Sequence, residues 1–124
     1  MFYKKEENME ESILTSIKKL LGIEDDDTSF DLDVLIHINT ALAILNQLGV
    51  GPNEGIFVAD KSTLWEAVLA DNKFLVPAKS YVFLKVKLLF DPPLSSAAIE
   101  SMNKLIAEFE WRLTVLVETP NTTS

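Results

Sequence analysis

The 124-residue chain lacks cysteine, and this absence excludes disulfide bonds, thiol chemistry and cysteine-based zinc sites. It has one histidine and four glycines, and none of the glycines forms a glycine-rich phosphate loop. No apolar run approaches the ~20 residues that a membrane-spanning helix needs. The charged first residues have no apolar stretch behind them, so we expect no secretion signal.

Basic residues are also few. The chain has 11 Lys and Arg and 19 Asp and Glu, so its formal net charge is −8. Binding to nucleic acid by phosphate neutralisation needs a basic face, and so does docking onto anionic lipid. The charge argues against both, although an acidic surface lets DNA pass nearby without trapping it. The 48% apolar content is typical of a globular protein. We expect a single domain over residues 1–124, with flexible tails at 1–8 and 119–124.

Apolar residues recur with helical spacing, which predicts an all-α fold of about five helices in a compact bundle. The first helix is predicted over about 9–21, and Gly22 closes it. An acidic loop follows, in which Thr28 and Asp31 resemble a capping box that opens the second helix. That helix should end near Leu48.

The long loop between the second and third predicted helices covers residues 49–62 and is rich in glycine. Its β-prone run at 56–58 predicts a short strand or half of a β-hairpin. The pattern Thr63-x-x-Glu66 then predicts a capping box and a short third helix through about Ala70.

The rest of the chain is organised around segment 81–90, which is apolar nearly all the way round. Such a segment must be surrounded by other elements or by other chains. It belongs to a fourth helix predicted over 75–90. The structural turn Asp91, Pro92 and Pro93 ends this helix, because proline offers no N–H and biases the preceding residue away from helical geometry.

A fifth helix is predicted from Ser95 or Ser96 to about Val117. Its apolar residues repeat with heptad spacing, which predicts a packing seam. The seam consists of Ile99, Met102, Ile106, Phe109, Leu113 and Leu116.

The end of the fifth helix has two interpretations. Glu108 and Arg112 form an i, i+4 pair in the favourable order, with Trp111 beside them. They are either a surface pair beside a core tryptophan or an interface anchor, since Trp and Arg are enriched at binding hot spots. The candidate interface with a partner comprises Glu108, Trp111, Arg112, Leu113 and Leu116.

Other polar residues point to no chemistry, and we predict no catalytic residue, no cofactor and no metal site. His37 lies in a helix between apolar neighbours, and no nucleophile-elbow pattern accompanies it. The acidic run 25–33 resembles a calcium loop. However, Phe30 occupies the position that needs glycine, and Ile36 the position that needs a bidentate Glu. A solvated loop with a helix cap explains the run better.

Asn39 and Asn46 are seven residues apart, so they share one side of the second helix. Either they are buried polar groups between helices or between subunits, or they are exposed. The sequence does not separate these alternatives. The residues alone therefore describe an acidic helical interaction domain.

The order of these parts resembles the small head–tail connector, or adaptor, proteins of tailed bacteriophages and prophages. The most specific likeness is the apolar segment 81–93, which ends in Phe-Asp-Pro-Pro and is followed by a helix closing on residues 108–113. Further similar segments are 18–23, 30–31, 38–39 and 48–50. The similarity extends over roughly residues 9–118.

This resemblance implies a non-enzymatic virion protein that assembles as a dodecameric ring beneath the portal, extends the DNA channel and joins capsid to tail. The implied partners are its own copies, the portal protein and a stopper or tail-completion protein. DNA would pass through without specific binding, and no membrane is involved. We expect acidic residues to line the channel, and the fifth helix and C-terminal tail to contact the portal. The protein would be found in the virion neck, and in the host cytoplasm during assembly. The alternative is a small acidic helical protein-binding or regulatory module of phage or bacterial origin.

Overall fold

A computed structural model describes residues 8–119, so the predicted tails lie outside the described residues except for Asn8 and Thr119. The described chain forms α1 (Ile13–Leu21), α2 (Asp31–Gln47), α3 (Leu75–Phe90) and α4 (Ser96–Glu118), with 3₁₀ turns at Trp65–Ala67 and Asn72–Phe74. The all-α class is confirmed for this part of the chain. Four α-helices replace the five that were expected, and the predicted fourth and fifth helices are α3 and α4.

The apolar helix α3 lies at the centre and packs against α1, α2 and α4. The rings of Phe30, before α2, and Phe90, at the end of α3, meet edge to face with centroids 5.5 Å apart. These two helices are therefore antiparallel. The Tyr81 hydroxyl donates to Glu110 Oε2 at 2.7 Å and joins α3 to α4. Within segment 81–90 these neighbours bury Tyr81, Val82 and Val86 but leave Leu89 50% exposed, so the elements of one chain cover the segment only in part.

The core draws on every α-helix and on the loop before α3. Each large apolar side chain that is fully buried contributes about 1.5–3 kcal/mol relative to an exposed one. The largest fully buried side chains include Trp65, Tyr81, Ile13, Ile17, Ile38, Leu45, Leu75 and Leu113.

Two helix predictions were wrong because segment 9–13 pairs with segment 63–66. Three backbone hydrogen bonds form the pairing: Ile13 N–H to Thr63 O at 3.0 Å, Trp65 N–H to Glu11 O at 3.1 Å, and Glu66 N–H to Met9 O at 2.8 Å. These bonds use backbone N–H and C=O groups that the first turns of the two predicted helices would have used. No local pattern reports such a pairing, since its partners are 50 to 57 residues apart.

The caps differ accordingly. Ser12 caps α1, so this helix begins four residues after its predicted start at residue 9, and the Ser12 hydroxyl accepts the N–H of Thr15 at 3.1 Å. The predicted capping box at 63–66 does not form. The short helix predicted there reduces to the single 3₁₀ turn at Trp65–Ala67.

The start of α2 is also set by a distant contact. Phe30 is its N-cap and provides no side-chain hydrogen bond, so the capping box expected at Thr28 is absent. Asp31 instead forms an ion pair with Lys18 of α1, at 2.8 Å between Nζ and Oδ1. The carboxylate also lies in the first turn, where the helix dipole favours negative charge.

The chain reverses between α3 and α4 at the predicted turn residues Asp91, Pro92 and Pro93. The Asp91 N–H donates to Lys87 O at 2.9 Å, and its carboxylate forms an ion pair with Lys87 Nζ at 2.9 Å. The Ser95 hydroxyl then accepts an N–H of the first turn of α4, as an N-cap should.

The two asparagines of α2 hold the long loop. Asn39 donates to Val58 O at 2.9 Å and accepts the Val58 N–H at 2.8 Å, while Asn46 donates to Pro52 O at 2.6 Å. Val58 therefore obtains from an amide side chain the two hydrogen bonds that a neighbouring strand would provide. Between residues 8 and 119 the structure has no strand, only an isolated bridge between Ser12 and Leu64.

We expect the change Asn39→Leu to lower the free energy of unfolding by about 2–3 kcal/mol, because both backbone groups of buried Val58 lose their partners. Urea denaturation measures this loss. Thr40→Ala is the matched control on the exposed side of α2, with an expected change within about 0.5 kcal/mol. Equal losses in both variants would contradict the role of Asn39.

Candidate functional site: the groove between α3 and α4

The longest helix, α4, is held to the bundle along one narrow stripe. Of its 23 residues, only Ile106 and Leu113 are buried. The six residues of the predicted heptad seam are all buried or half-buried, which confirms the seam. At 1.5 Å per residue α4 is about 35 Å long and α3, with 16 residues, about 24 Å. Because Tyr81 of α3 bonds Glu110 of α4, the second half of α4 lies alongside the first half of α3.

A groove of about 460 Å³ opens where these two helix ends meet, and we call it the α3–α4 groove. Its apolar lining consists of Val76, Pro77, Leu105, Phe109, Trp111, Val115 and Leu116, and Glu108 and Arg112 complete it.

The groove is apolar yet open to solvent. Trp111 is 66% exposed, Val76 is 55% exposed, and Leu105 and Val115 are exposed as well. A contiguous apolar surface rimmed by polar groups marks an interaction site, whereas single exposed apolar residues need no explanation. The groove is therefore the candidate functional site of this chain.

Four of the five residues expected at an interface line this groove: Glu108, Trp111, Arg112 and Leu116. Leu113 does not, because it is fully buried and holds α4 against the bundle. The Arg112 guanidinium donates through Nε and Nη2 to Glu108 Oε2, at 2.9 and 2.6 Å. The structure does not place Trp111 in the core, so the interpretation of a surface pair beside a core tryptophan is not supported.

Sequence reasoning missed a second exposed apolar surface. Leu32 and Ile36 lie one turn apart on the outer face of α2 and are 72% and 55% exposed. We call this pair the α2 ridge. Asp33 is exposed beside it. The helical pattern of α2 could have revealed the ridge, since these two positions fall outside the apolar face of Val34 and Ile38.

The acidic loop is organised by a lysine. The ammonium of Lys18, a residue only 2% exposed, donates to the carbonyls of Asp25 and Asp27 at 3.1 and 2.9 Å and pairs with Asp31. No three His, Asp or Glu residues within 8–119 are grouped as metal ligands would be. His37 is half-buried on α2 and does not line the groove.

Behind the groove, Tyr81 fastens α4 to α3. Its ring is fully buried, and its hydroxyl donates to Glu110 Oε2 at 2.7 Å. Burial raises the pKa of the Tyr81 hydroxyl above its ordinary value of 10.0, and the Glu110 carboxylate raises this pKa further. The folded chain therefore keeps this proton at pH values where the unfolded chain loses it.

This shift predicts a loss of stability in alkali. Below pH 10 Tyr81 is protonated in both states, and its contribution to stability is fully present. Above pH 10 only the unfolded chain releases the proton, so the free energy of unfolding falls by up to about 1.4 kcal/mol per pH unit. Tyr81→Phe removes this slope. Urea denaturation from pH 8 to pH 11 measures the difference in free energy of unfolding between wild type and Tyr81→Phe. This difference should be constant up to about pH 10 and should decrease above it. A difference independent of pH would contradict the assignment.

Of the three comparisons with known proteins, one gave a match. No curated protein and no solved structure shows significant similarity to the chain. A family model described as phage connector protein matches residues 13–120, from the first residue of α1 to just past α4. Among residues 8–119, every helix is too short or too polar to span a lipid bilayer.

The matched region includes the central helix α3, the turn at 91–93 and the groove. The resemblance stated from the sequence is confirmed at the level of the family. Membership implies a structural, connector-type role in the virion neck, in assembly with other virion proteins such as the portal. The chain belongs to the phage connector protein family.

Proposed function

We propose that this connector is of the adaptor type. Copies of the chain assemble as a ring, dodecameric as the sequence resemblance implies, beneath the portal. The ring extends the DNA channel and joins capsid to tail. The observation that carries this proposal is the α3–α4 groove, in which Trp111 is two-thirds exposed. Covering such a surface favours association, and tryptophan is prominent among residues that dominate binding energy.

The charge of the chain supports a conduit for DNA. The formal net charge is −8, and the acidic loop at 24–27 is exposed. Acidic residues along the channel would repel the phosphate backbone, so that DNA moves through the ring without being held. Binding to duplex DNA should therefore be weak at physiological salt.

The remaining partners are proposed from the family resemblance. Its last turn, together with the tail that follows it, contacts the portal, and the opposite side of the ring offers a platform for the stopper or tail-completion protein. The tail at 120–124 lies outside the described residues. The α3–α4 groove is not used by the portal in this proposal and stays available for contacts between copies of the chain.

The test combines the chain with the portal protein of the same phage. Native mass spectrometry and electron cryomicroscopy should show a ring of this protein on the portal, with its channel in line with the portal channel. A single copy that binds one non-virion protein would favour the alternative regulatory module. Tight, strongly salt-dependent binding of duplex DNA would contradict the conduit.

A further inference from the structure

Two of the exposed apolar surfaces within residues 8–119, the α2 ridge and the α3–α4 groove, have opposite shapes. The α2 ridge is convex, because Leu32 and Ile36 project from successive turns of one helix face. The α3–α4 groove is concave, with a volume of about 460 Å³. An apolar helix face laid into an apolar groove is a recurring mode of recognition, read through anchors at i and i+4.

The two surfaces lie on different helices that flank the centre of the bundle. Helix α3 packs extensively against α2 and against α4 and separates them over most of their length. The ridge is near the start of α2, beside the end of α3, whereas the groove is at the start of α3. One copy therefore cannot close its own ridge into its own groove.

The charges beside the two surfaces are complementary. Asp33 is exposed next to the ridge, and α2 contains no Lys or Arg. Arg112 lies at the groove with its side chain 56% exposed, and Glu108 engages only two of its nitrogens. A guanidinium has five N–H donors and binds carboxylates well, so Arg112 retains donors for a second carboxylate.

We propose that the α2 ridge of one copy packs into the α3–α4 groove of the next copy, with Asp33 facing Arg112. The contact joins two different surfaces and is therefore heterologous, so that repetition leads round a ring if the rotation closes. This inference rests on the proposed ring and assigns the surfaces that build it. Each copy then covers both of its apolar surfaces.

Cysteine trapping tests the contact directly, because the natural chain has no cysteine. Two single variants, Ile36→Cys on the ridge and Val115→Cys in the groove, are mixed and oxidised mildly, alone and with the portal protein. The mixture should yield a disulfide-linked dimer at least several-fold above either variant alone. The double variant should yield a ladder of dimers, trimers and higher species.

The control pair is Glu54→Cys with Val115→Cys, since Glu54 is exposed on the long loop away from the ridge. If the Ile36–Val115 pair links no better than the control, with and without portal, the contact is wrong. Predominant linkage of Ile36→Cys to itself would indicate a symmetric contact and would also overturn it.

A charge exchange tests the polar part of the contact. Asp33→Arg and Arg112→Asp should each weaken association about tenfold, and the double variant, in which every contact carries the exchanged pair, should restore much of the loss. No restoration would reject the pairing of Asp33 with Arg112. These outcomes are separable from the proposed function: a ring on the portal without the Ile36–Val115 link refutes this contact alone, whereas the link without any ring on the portal refutes the ring.

Discussion

The change Trp111→Ala is expected to abolish assembly while leaving the fold intact. The indole is 66% exposed and lines the α3–α4 groove, so its removal takes little from the core of the single chain. Alanine also favours helix more than tryptophan does. In an assembled state the same indole would be a central anchor, and truncating such a residue costs about 2–4 kcal/mol, or roughly 30- to 1,000-fold in affinity. A ring repeats this loss at every contact.

Two measurements separate these effects. Urea denaturation should give a free energy of unfolding within about 0.5 kcal/mol of wild type. Native mass spectrometry with the portal protein should show the ring for wild type and not for the variant. Asn103→Ala is the matched control, since Asn103 is exposed on α4 outside the groove and its change should preserve the ring. Normal assembly of Trp111→Ala would remove the groove from the interface.

The same substitution at the other tryptophan should have the opposite result. Trp65→Ala is expected to lower the free energy of unfolding by about 3–5 kcal/mol, because it opens a large cavity in the core. Trp65 is fully buried, and its indole N–H donates to the Ser16 hydroxyl at 2.9 Å. That hydroxyl in turn donates to Ile13 O at 3.0 Å. The Trp65 indole therefore links the loop before α3 to α1. A domain stable by about 5–15 kcal/mol would lose a large share of its stability.

A graded series identifies the mechanism. Trp65→Phe retains much of the apolar volume but loses the N–H donor, and it should cost less than Trp65→Ala. Ser16→Ala removes the acceptor and leaves the indole N–H without a partner, at a cost of about 1–3 kcal/mol. In the double variant Trp65→Phe with Ser16→Ala, the two losses should not add, since they report one hydrogen bond. Additive losses in urea denaturation would contradict the coupling of Trp65 to Ser16.

Fluorescence adds an independent check, because the chain contains two tryptophans. Trp111→Ala leaves only the buried indole, whereas Trp65→Ala leaves only the exposed one. The wavelength of maximum emission should shift strongly on unfolding in Trp111→Ala and should shift little in Trp65→Ala. Similar shifts in both variants would contradict the burial of one ring and the exposure of the other.

Local signals explain why some elements were predictable. Helix α3 occupies the predicted 75–90, since an apolar segment followed by two prolines confines a helix through forces that act within a few residues. The start of α4 was predictable for a similar reason, because the Ser95 hydroxyl caps it from one position away. The family resemblance also rested on such segments.

The errors and omissions share a different cause. Ser12 caps α1 because segment 9–13 pairs with 63–66, and no local pattern encodes that distant partner. The roles of Asn39 and Lys18 likewise depend on backbone carbonyls brought to them by the fold. Buried polar groups form hydrogen bonds with whichever donors or acceptors the tertiary structure places beside them.

By itself, the sequence determined the helical class, the bounds of the central helix and the connector family, because periodicity, prolines and segment order are properties of neighbouring residues. Only the tertiary structure decided which tryptophan is buried and which is presented at a surface. Both tryptophans stand in helical contexts that look alike along the chain. Their fates diverge because the bundle covers only the stripe of α4 that contains Leu113, which leaves Trp111 exposed, whereas the loop before α3 folds Trp65 into the core.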